Sequence, residues 1–559
     1  MHRAYLCLAV LFVGIAAARI LKVDATTPQG FDEPCHVGAG MEWVDKHTYK
    51  VDPVHPPLAR YAITLPLYLA GERFPYSSPK DFEAHPYIND PGDAILYHKG
   101  QYKRNLFLAR IGILPFFCLA TIATFLWTER YFGPFAACIA VLLVSTTPSV
   151  LGFSSLAYND LPVAALQLTF LCLLTLWLEK PHMTMTVLLG IVAGLAIGTK
   201  FTSLVFLTAS TLAVLFCRWA VIRYRHGSTP YQVTIFVKYL LATAAVAVFV
   251  LWGIYGFSMG HVQERMGLSA QAMPSFQHFP APVRDVARKA ILSNPIVPAP
   301  ELIHGLAKIW VANQVGPETY LFGRKRNGGW WYFFPIALAL KTPLPLFILA
   351  VIGFVYVLRS GFRDGQWHGL VAAIPVPSII AVAMLGKYNV GTRYVLVVFL
   401  LLAILAGIGA AGLWRRQKLS WGRAVVCGML LWQGVITISA RDDFLAYFNE
   451  LAPAEPSQAL VSGCDLDCGQ DVFRLAQELH ARAVSYVNIA VWSSADLTQM
   501  KLPEFSVLEP FHPVRGWIAV SARSRLMEFP VDALKWLDAY RPVTHVGRTI
   551  LLYHIPDRN

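Results

Sequence analysis

The chain has 559 residues, of which 55% are hydrophobic and 14% charged, where an average soluble domain carries about 25% charged residues. Together with a mean hydropathy of +0.48, this excludes an ordinary water-soluble enzyme and describes an integral membrane protein. Basic residues outnumber acidic ones by 47 to 34, a net charge of +13, but they fall in short loops between apolar stretches and not on one soluble face. The balance therefore speaks of membrane topology and of no nucleic-acid partner.

Apolar stretches of membrane length follow one another at 4–21, 105–127, 134–151, 161–178, 184–217, 239–257, 331–358, 368–385, 393–414 and 423–440. About 20 residues cross the hydrocarbon core, so 184–217 is too long for one span and short for two. Turning it at Gly198, Thr199 and Lys200 places Arg218, Arg223 and Arg225 on the side of Arg130, Lys180, Arg359, Arg363, Arg415, Arg416 and Lys418. A single span would split these basic loops between both sides. The sequence thus predicts a mainly α, polytopic helical bundle of about eleven spans, with the N-terminus inside. Four segments face outward: 22–104, 152–160, 258–329 and everything after Arg441. The first stretch reads either as an anchor helix or as a cleaved signal peptide, with His2 and Arg3 before a short apolar region and Ala16, Ala17 and Ala18 as a cleavage site. The long loop 258–329 reads as a functional lid or a disordered connection.

After Arg441 the composition turns polar, with 517–520 and 550–553 patterned as strands and 532–540 as a helix. The expected division is a transmembrane catalytic domain at 1–440 and a small outer α/β domain at 441–559. Of nine cysteines, Cys7, Cys118, Cys138, Cys172, Cys217 and Cys427 lie in apolar runs as small core residues, and no zinc-type CxxC pair occurs. Cys464 and Cys468 sit in the opening loop of the outer domain, in a compartment where a disulfide persists.

The chemistry-bearing residues gather on the outer face. Asp32 and Glu33 lie in FDEPCHVGAGMEW, Asp52, His55 and Arg60 in VDPVHPPLARY, and Asp160 opens the span at 161. A carboxylate where a membrane helix emerges can take a proton from a hydroxyl while the far end of the reacting bond leaves as a phosphate; taken singly, each is equally an ordinary solvated loop acid. A departing phosphate needs fixed cations, which act in a dry site without a metal. Lys200 at the inferred turn is one candidate, or a snorkelling helix end. Lys341 stands ten residues into an apolar stretch and is followed by TPLP. It is a functional cation at depth, or lies near the headgroups beside Trp330, Trp331 and Tyr332 if the span starts at Thr342. Arg393 and Arg60 suit bidentate phosphate recognition, with Arg110 as a competitor. His36 and His55 are candidate substrate contacts, or with the acids a divalent metal site, although their spacing matches no fixed metal motif.

The succession FDE, HPPLARY, AYNDLP, GLAIGTKF, FGRKRNGGWWYFFPIALALKTPLP, NVGTRY and YFNELAP runs from residue 31 to about 453. In content and order it resembles the membrane-embedded glycosyltransferases of GT-C fold, specifically the protein O-mannosyltransferase and aminoarabinose-transferase group. LDCGQDVFRLAQEL extends the likeness into the outer domain, being similar to the LDWGQDL string of bacterial members. The resemblance implies an enzyme that moves a sugar from a polyprenyl-phosphate carrier to an acceptor hydroxyl on a protein, lipid or glycan. Transfer would proceed with inversion at the non-cytoplasmic face of the plasma membrane, with no nucleotide-sugar and no required cofactor. It implies that Asp32 is the general base, that Glu33 orients the acceptor and that Asp160 positions acceptor or sugar; Lys200, Lys341, Arg393 and Arg60 remain the candidates for the phosphate by their own chemistry. The chain departs from the family string at Cys468, in place of the common Trp, and at Cys464; the joint change fits a disulfide and removes any role that rests on the indole. Two other classes stand beside this one. A lipid-linked sugar flippase or transporter needs polar groups near the midplane and access to both faces. A non-catalytic scaffold leaves the acidic pair and Lys341 without a task.

Overall fold

The computed structural model describes residues 2–77, 87–226, 233–261, 263, 281–415 and 420–556. Arg416 and Lys418 of the basic loops lie outside the described residues, as do 78–86 and most of 262–280 within two outer segments. Among the described residues nine helices are long and apolar enough to cross a membrane, from His2–Thr26 to Trp421–Ala440. The apolar stretch 134–151 is a helix pair, Pro134–Thr146 and Pro148–Ser154, bent by 62°, as expected where Pro148 cannot continue the preceding hydrogen-bond ladder. The long stretch 184–217 breaks where charge parity placed the turn: Met183–Ile197 ends, Gly198 to Phe201 leave the helix, and Thr202–His226 begins.

One end of the bundle gathers the basic helix termini. Arg130 pairs with Glu179 at 3.0 Å, and His368 meets the same carboxylate at 3.2 Å. Arg218 donates to the Leu178 carbonyl at 3.2 Å, Arg415 to that of Phe132 at 3.0 Å, and His2 lies 2.7 Å from Glu129. The first helix thus starts at the end that carries the positive loops. Between the two ends, helices Leu344–Asp364 and Val397–Arg415 cross in close contact at Gly353, where a Cβ would lie 1.8 Å from the Leu405 carbonyl oxygen. Such small-residue contacts replace the hydrophobic drive that lipid does not supply.

At the opposite end the described parts of the segments expected outside are folded. The loop 258–329 contributes helices Ala281–Ser293 and Pro300–Val315, and a hairpin of Glu318–Leu321 with Arg324–Asn327. The first hairpin strand pairs with Leu460–Val461, Tyr320 opposite Val461, so this loop is tied by backbone hydrogen bonds to the segment after the last span.

The outer domain is a five-stranded sheet in the order Glu504–Val507, Tyr486–Ala490, Gly516–Ser521, Ile550–Ile555, Thr544–Val546. The first three strands are parallel, and the remaining pairings are antiparallel. Parallel pairing needs both faces covered. Leu475 and Leu479 of helix Val472–Ala481 pack on Val487, Ile489 and Leu552 of one face, while Leu534 and Leu537 pack with Ile518 and Val520 on the other. The expected helix at 532–540 is corrected: Asp532 takes a left-handed φ of 65°, and only a 3-10 turn, Lys535–Ala539, follows. A left-handed non-glycine residue interrupts helical propagation.

Candidate active site

Four segments bring the expected residues together at the end of the bundle opposite the basic helix termini. Asp32 precedes helix Glu33–Lys46, Asp160 opens helix Asp160–Glu179, Lys200 lies in the broken span, and Arg393 lies in the turn Thr392–Val395. Arg393 Nη1 donates to Asp32 Oδ2 at 2.6 Å, and Lys200 Nζ to Asp160 Oδ1 at 2.5 Å. Burial alone would weaken the Arg393 charge, but Asp32 and then Asp160 outweigh it and hold the guanidinium protonated. Asp32 keeps 35% of its side chain exposed while Asp160 keeps 2%, so Asp32 is the carboxylate that an incoming group can reach.

Aromatic rings wall the two pairs. The Arg393 guanidinium stands 5.5 Å from the Tyr158 ring centroid and Lys200 Nζ 5.9 Å from that of Tyr394, within reach of cation–π attraction. The Tyr388 phenol interacts electrostatically with Arg393, Asp32, Asp52 and Asp160, and burial pushes its pKa up, so it stays neutral. His36 faces the rings of His55 and Tyr158 at 5.4 and 5.5 Å. Burial, and then the neighbouring Arg60, depress the His36 pKa well below that of free imidazole, so it presents an uncharged ring.

Several other expected residues lie close by but are fully engaged by the protein. Glu33 is completely buried and accepts four hydrogen bonds: Arg110 Nε at 2.8 Å, Arg110 Nη2 at 2.7 Å, and the backbone N–H groups of Gly30 at 2.6 Å and Ala157 at 2.7 Å. This geometry anchors the loop that carries Asp32 and leaves Arg110 no free face for a phosphate. Arg60 is buried against Asp52 and also donates to Tyr49 Oη at 2.7 Å and the His55 carbonyl at 3.2 Å. Burial favours the neutral form of Asp52, but Arg60 and His55 overcome it and hold the carboxyl ionised. Lys341 ends helix Phe333–Lys341, outside the span that starts at Leu344, and its ammonium binds the carbonyls of Leu445, at 2.6 Å, and Asp465. Arg60 and Lys341 therefore hold loops around the site, while Arg393 pairs with the accessible acid and Lys200 with Asp160. Among the described residues no group of three or more His, Cys, Asp or Glu side chains is arranged to hold a metal ion.

Sequence reasoning missed Tyr158 and Asp465. Tyr158 Oη accepts the Asp32 backbone N–H at 2.9 Å, and the Asp465 carboxylate accepts the Thr392 N–H and hydroxyl at 2.8 and 2.6 Å. The outer domain closes over the same loop: Trp492 stacks on Phe31 at 4.2 Å, and Gln29 Nε2 donates to the Ser494 carbonyl at 3.0 Å.

No family model and no curated sequence matches the chain. Among solved structures it is similar to ArnT from Cupriavidus metallidurans bound to undecaprenyl phosphate, at 13% identity over 97% of each chain with a TM-score of 0.49. It is also similar to the Archaeoglobus fulgidus oligosaccharyltransferase in the apo form, at 15% identity over 87% of this chain and 62% of that one with a TM-score of 0.43.

Proposed function

We propose that the protein is an inverting glycosyltransferase that takes a sugar from a polyprenyl-phosphate carrier and delivers it to an acceptor hydroxyl at the non-cytoplasmic face of the plasma membrane. The observation that carries this reading is the exposed Asp32 carboxylate 2.6 Å from the buried Arg393 guanidinium, beside the Asp160–Lys200 pair, on segments that carry the family-like strings. A carboxylate beside fixed cations suits a reaction that withdraws a proton at one end of a bond and releases a phosphate at the other.

In the resting site Arg393 Nη1 holds Asp32 Oδ2 in a 2.6 Å ion pair. A lipid phosphate arriving from the bilayer competes for the guanidinium, with which it forms a bidentate pair, and Lys200 supplies a second contact. As Arg393 turns to the phosphate, Asp32 Oδ2 is released from the ion pair and is free to accept a proton when the donor is in place. The acceptor hydroxyl, held on the opposite side of the anomeric carbon, gives its proton to Asp32 as its oxygen attacks. The bond from the anomeric carbon to the phosphate oxygen breaks, and the polyprenyl phosphate departs on Arg393 and Lys200. Asp160 keeps Lys200 oriented, and the uncharged His36 ring packs against Tyr158 beside Asp32.

The test is transfer of labelled sugar from polyprenyl-phosphate donors to acceptor hydroxyls by the purified chain in lipid nanodiscs. Transfer is expected, and Arg393→Lys, which keeps the charge but loses the fork, is expected to raise the donor KM by about tenfold. Movement of the lipid-linked sugar across sealed liposomes without transfer would replace this reading with the flippase one.

A further inference from the structure

Cys464 and Cys468 form a disulfide, buried where the arms of the site meet. Tyr158 Oη lies 3.5 Å from each sulfur and accepts the backbone N–H of Asp32. A Cβ on Gly30, two residues before Asp32, would stand 3.2 Å from Cys468 Sγ, so the Asp32 loop rests on the bridge itself. Within the five-residue ring, Asp465 takes the N–H and hydroxyl of Thr392, the residue before Arg393, and its carbonyl takes Lys341. Gly391, at a φ of 90°, allows this approach: a Cβ there would lie 2.7 Å from Asp465 Oδ2, and that φ suits glycine alone.

Asp32 and Arg393 are 361 residues apart in the chain and lie on separate loops, so their spacing depends on something that touches both. We propose that the Cys464–Cys468 ring is that positioning element, acting through Tyr158 on Asp32 and through Asp465 on Arg393. The proposal rests on the glycosyl-transfer reading. A covalently closed ring has few alternative conformations, and its two contacts transmit that rigidity to the base and to the phosphate-binding cation. Tyr158, buried against both sulfurs, links that constraint to the Asp32 backbone.

The experiment compares the full-length protein with the double variant Cys464→Ser/Cys468→Ser and, independently, with Tyr158→Phe. Donor KM is expected to rise by up to about tenfold in the double variant, as in Arg393→Lys, and to stay within about threefold in Tyr158→Phe, while kcat falls by about tenfold to a hundredfold in both, the scale of a misplaced reacting group. Amide hydrogen exchange is expected to quicken at both 30–36 and 390–395 in the double variant, and at 30–36 in Tyr158→Phe. Leu537→Ala, which loosens the outer-domain core away from the ring, serves as a control and is expected to leave kcat and both segments unchanged. Unchanged kcat and unchanged exchange in the double-serine protein overturn the proposal, and Tyr158→Phe decides it alone if that protein does not fold. Should the unmodified protein transfer no sugar, the glycosyl-transfer reading fails, while the exchange comparison still decides whether the ring holds both segments.

Discussion

Asp32→Asn is expected to lower kcat by about a hundredfold to ten-thousandfold, the usual contribution of a positioned general base, while leaving donor binding intact or tighter. The asparagine keeps the shape of the side chain and its place above helix Glu33–Lys46 but cannot take the acceptor proton. It also frees Arg393 from the 2.6 Å ion pair, so the lipid phosphate no longer competes with a carboxylate for the guanidinium. A fall in kcat with no rise in donor KM is therefore the signature of this site. Equal kcat in the variant and the parent would remove Asp32 from the chemistry. A raised KM with an unchanged kcat would make it a binding residue.

Arg110→Ala is expected to be the most damaging change to stability near the site, costing about 3–5 kcal/mol, the scale for stranding one partner of a buried ion pair. Glu33 and Arg110 are both fully buried, and loss of the guanidinium leaves the carboxylate with only the N–H groups of Gly30 and Ala157. The same change strands the carbonyls of Asp24, Thr27 and Pro28, which accept from Arg110 at 3.1, 3.1 and 2.8 Å. Thermal unfolding in detergent would show the loss as a lowered midpoint. A double variant, Arg110→Met with Glu33→Gln, is expected to recover part of it by removing the uncompensated charge. A midpoint unchanged in Arg110→Ala would mean that the pair does not anchor the loop.

Both effects trace to groups whose legibility in the sequence differed. The spans were readable because apolar length and loop charge are local properties. The break at Gly198 to Lys200 was found from charge parity alone, and it places Lys200 against Asp160. The outer strands at 517–520 and 550–553 were readable from their apolar runs, whereas the turn at 535–539 was not, since the left-handed backbone at Asp532 has no signature in an Asp that is also a common helix-start residue. The meeting of Asp32 with Arg393 could be anticipated only through the order of family-like strings. Arg110 and Lys341 illustrate the limit more sharply. A cation in an apolar run reads as a ligand site by default, but each has its partners elsewhere in the chain: Glu33, 77 residues earlier, and the Leu445 carbonyl, 104 residues later. Tyr158 lies in the AYNDLP string but could not be singled out there, because its value lies in a hydroxyl placed between a backbone amide and two sulfurs.

A single outward-facing centre is the premise on which the base, the cations and the outer domain all depend, and site-directed labelling tests it. In a background with exposed Cys7 and Cys427 replaced by serine, cysteines are placed at Asp32 and at Val531, 74% exposed on the outer domain. A third replaces Arg363, whose side chain is 84% exposed at the far end of helix Leu344–Asp364. A membrane-impermeant maleimide added outside sealed right-side-out vesicles is expected to modify positions 32 and 531 and to spare 363 until the membrane is opened. Modification of 363 from outside with 32 protected, or of 32 and 531 from opposite sides, would contradict the account.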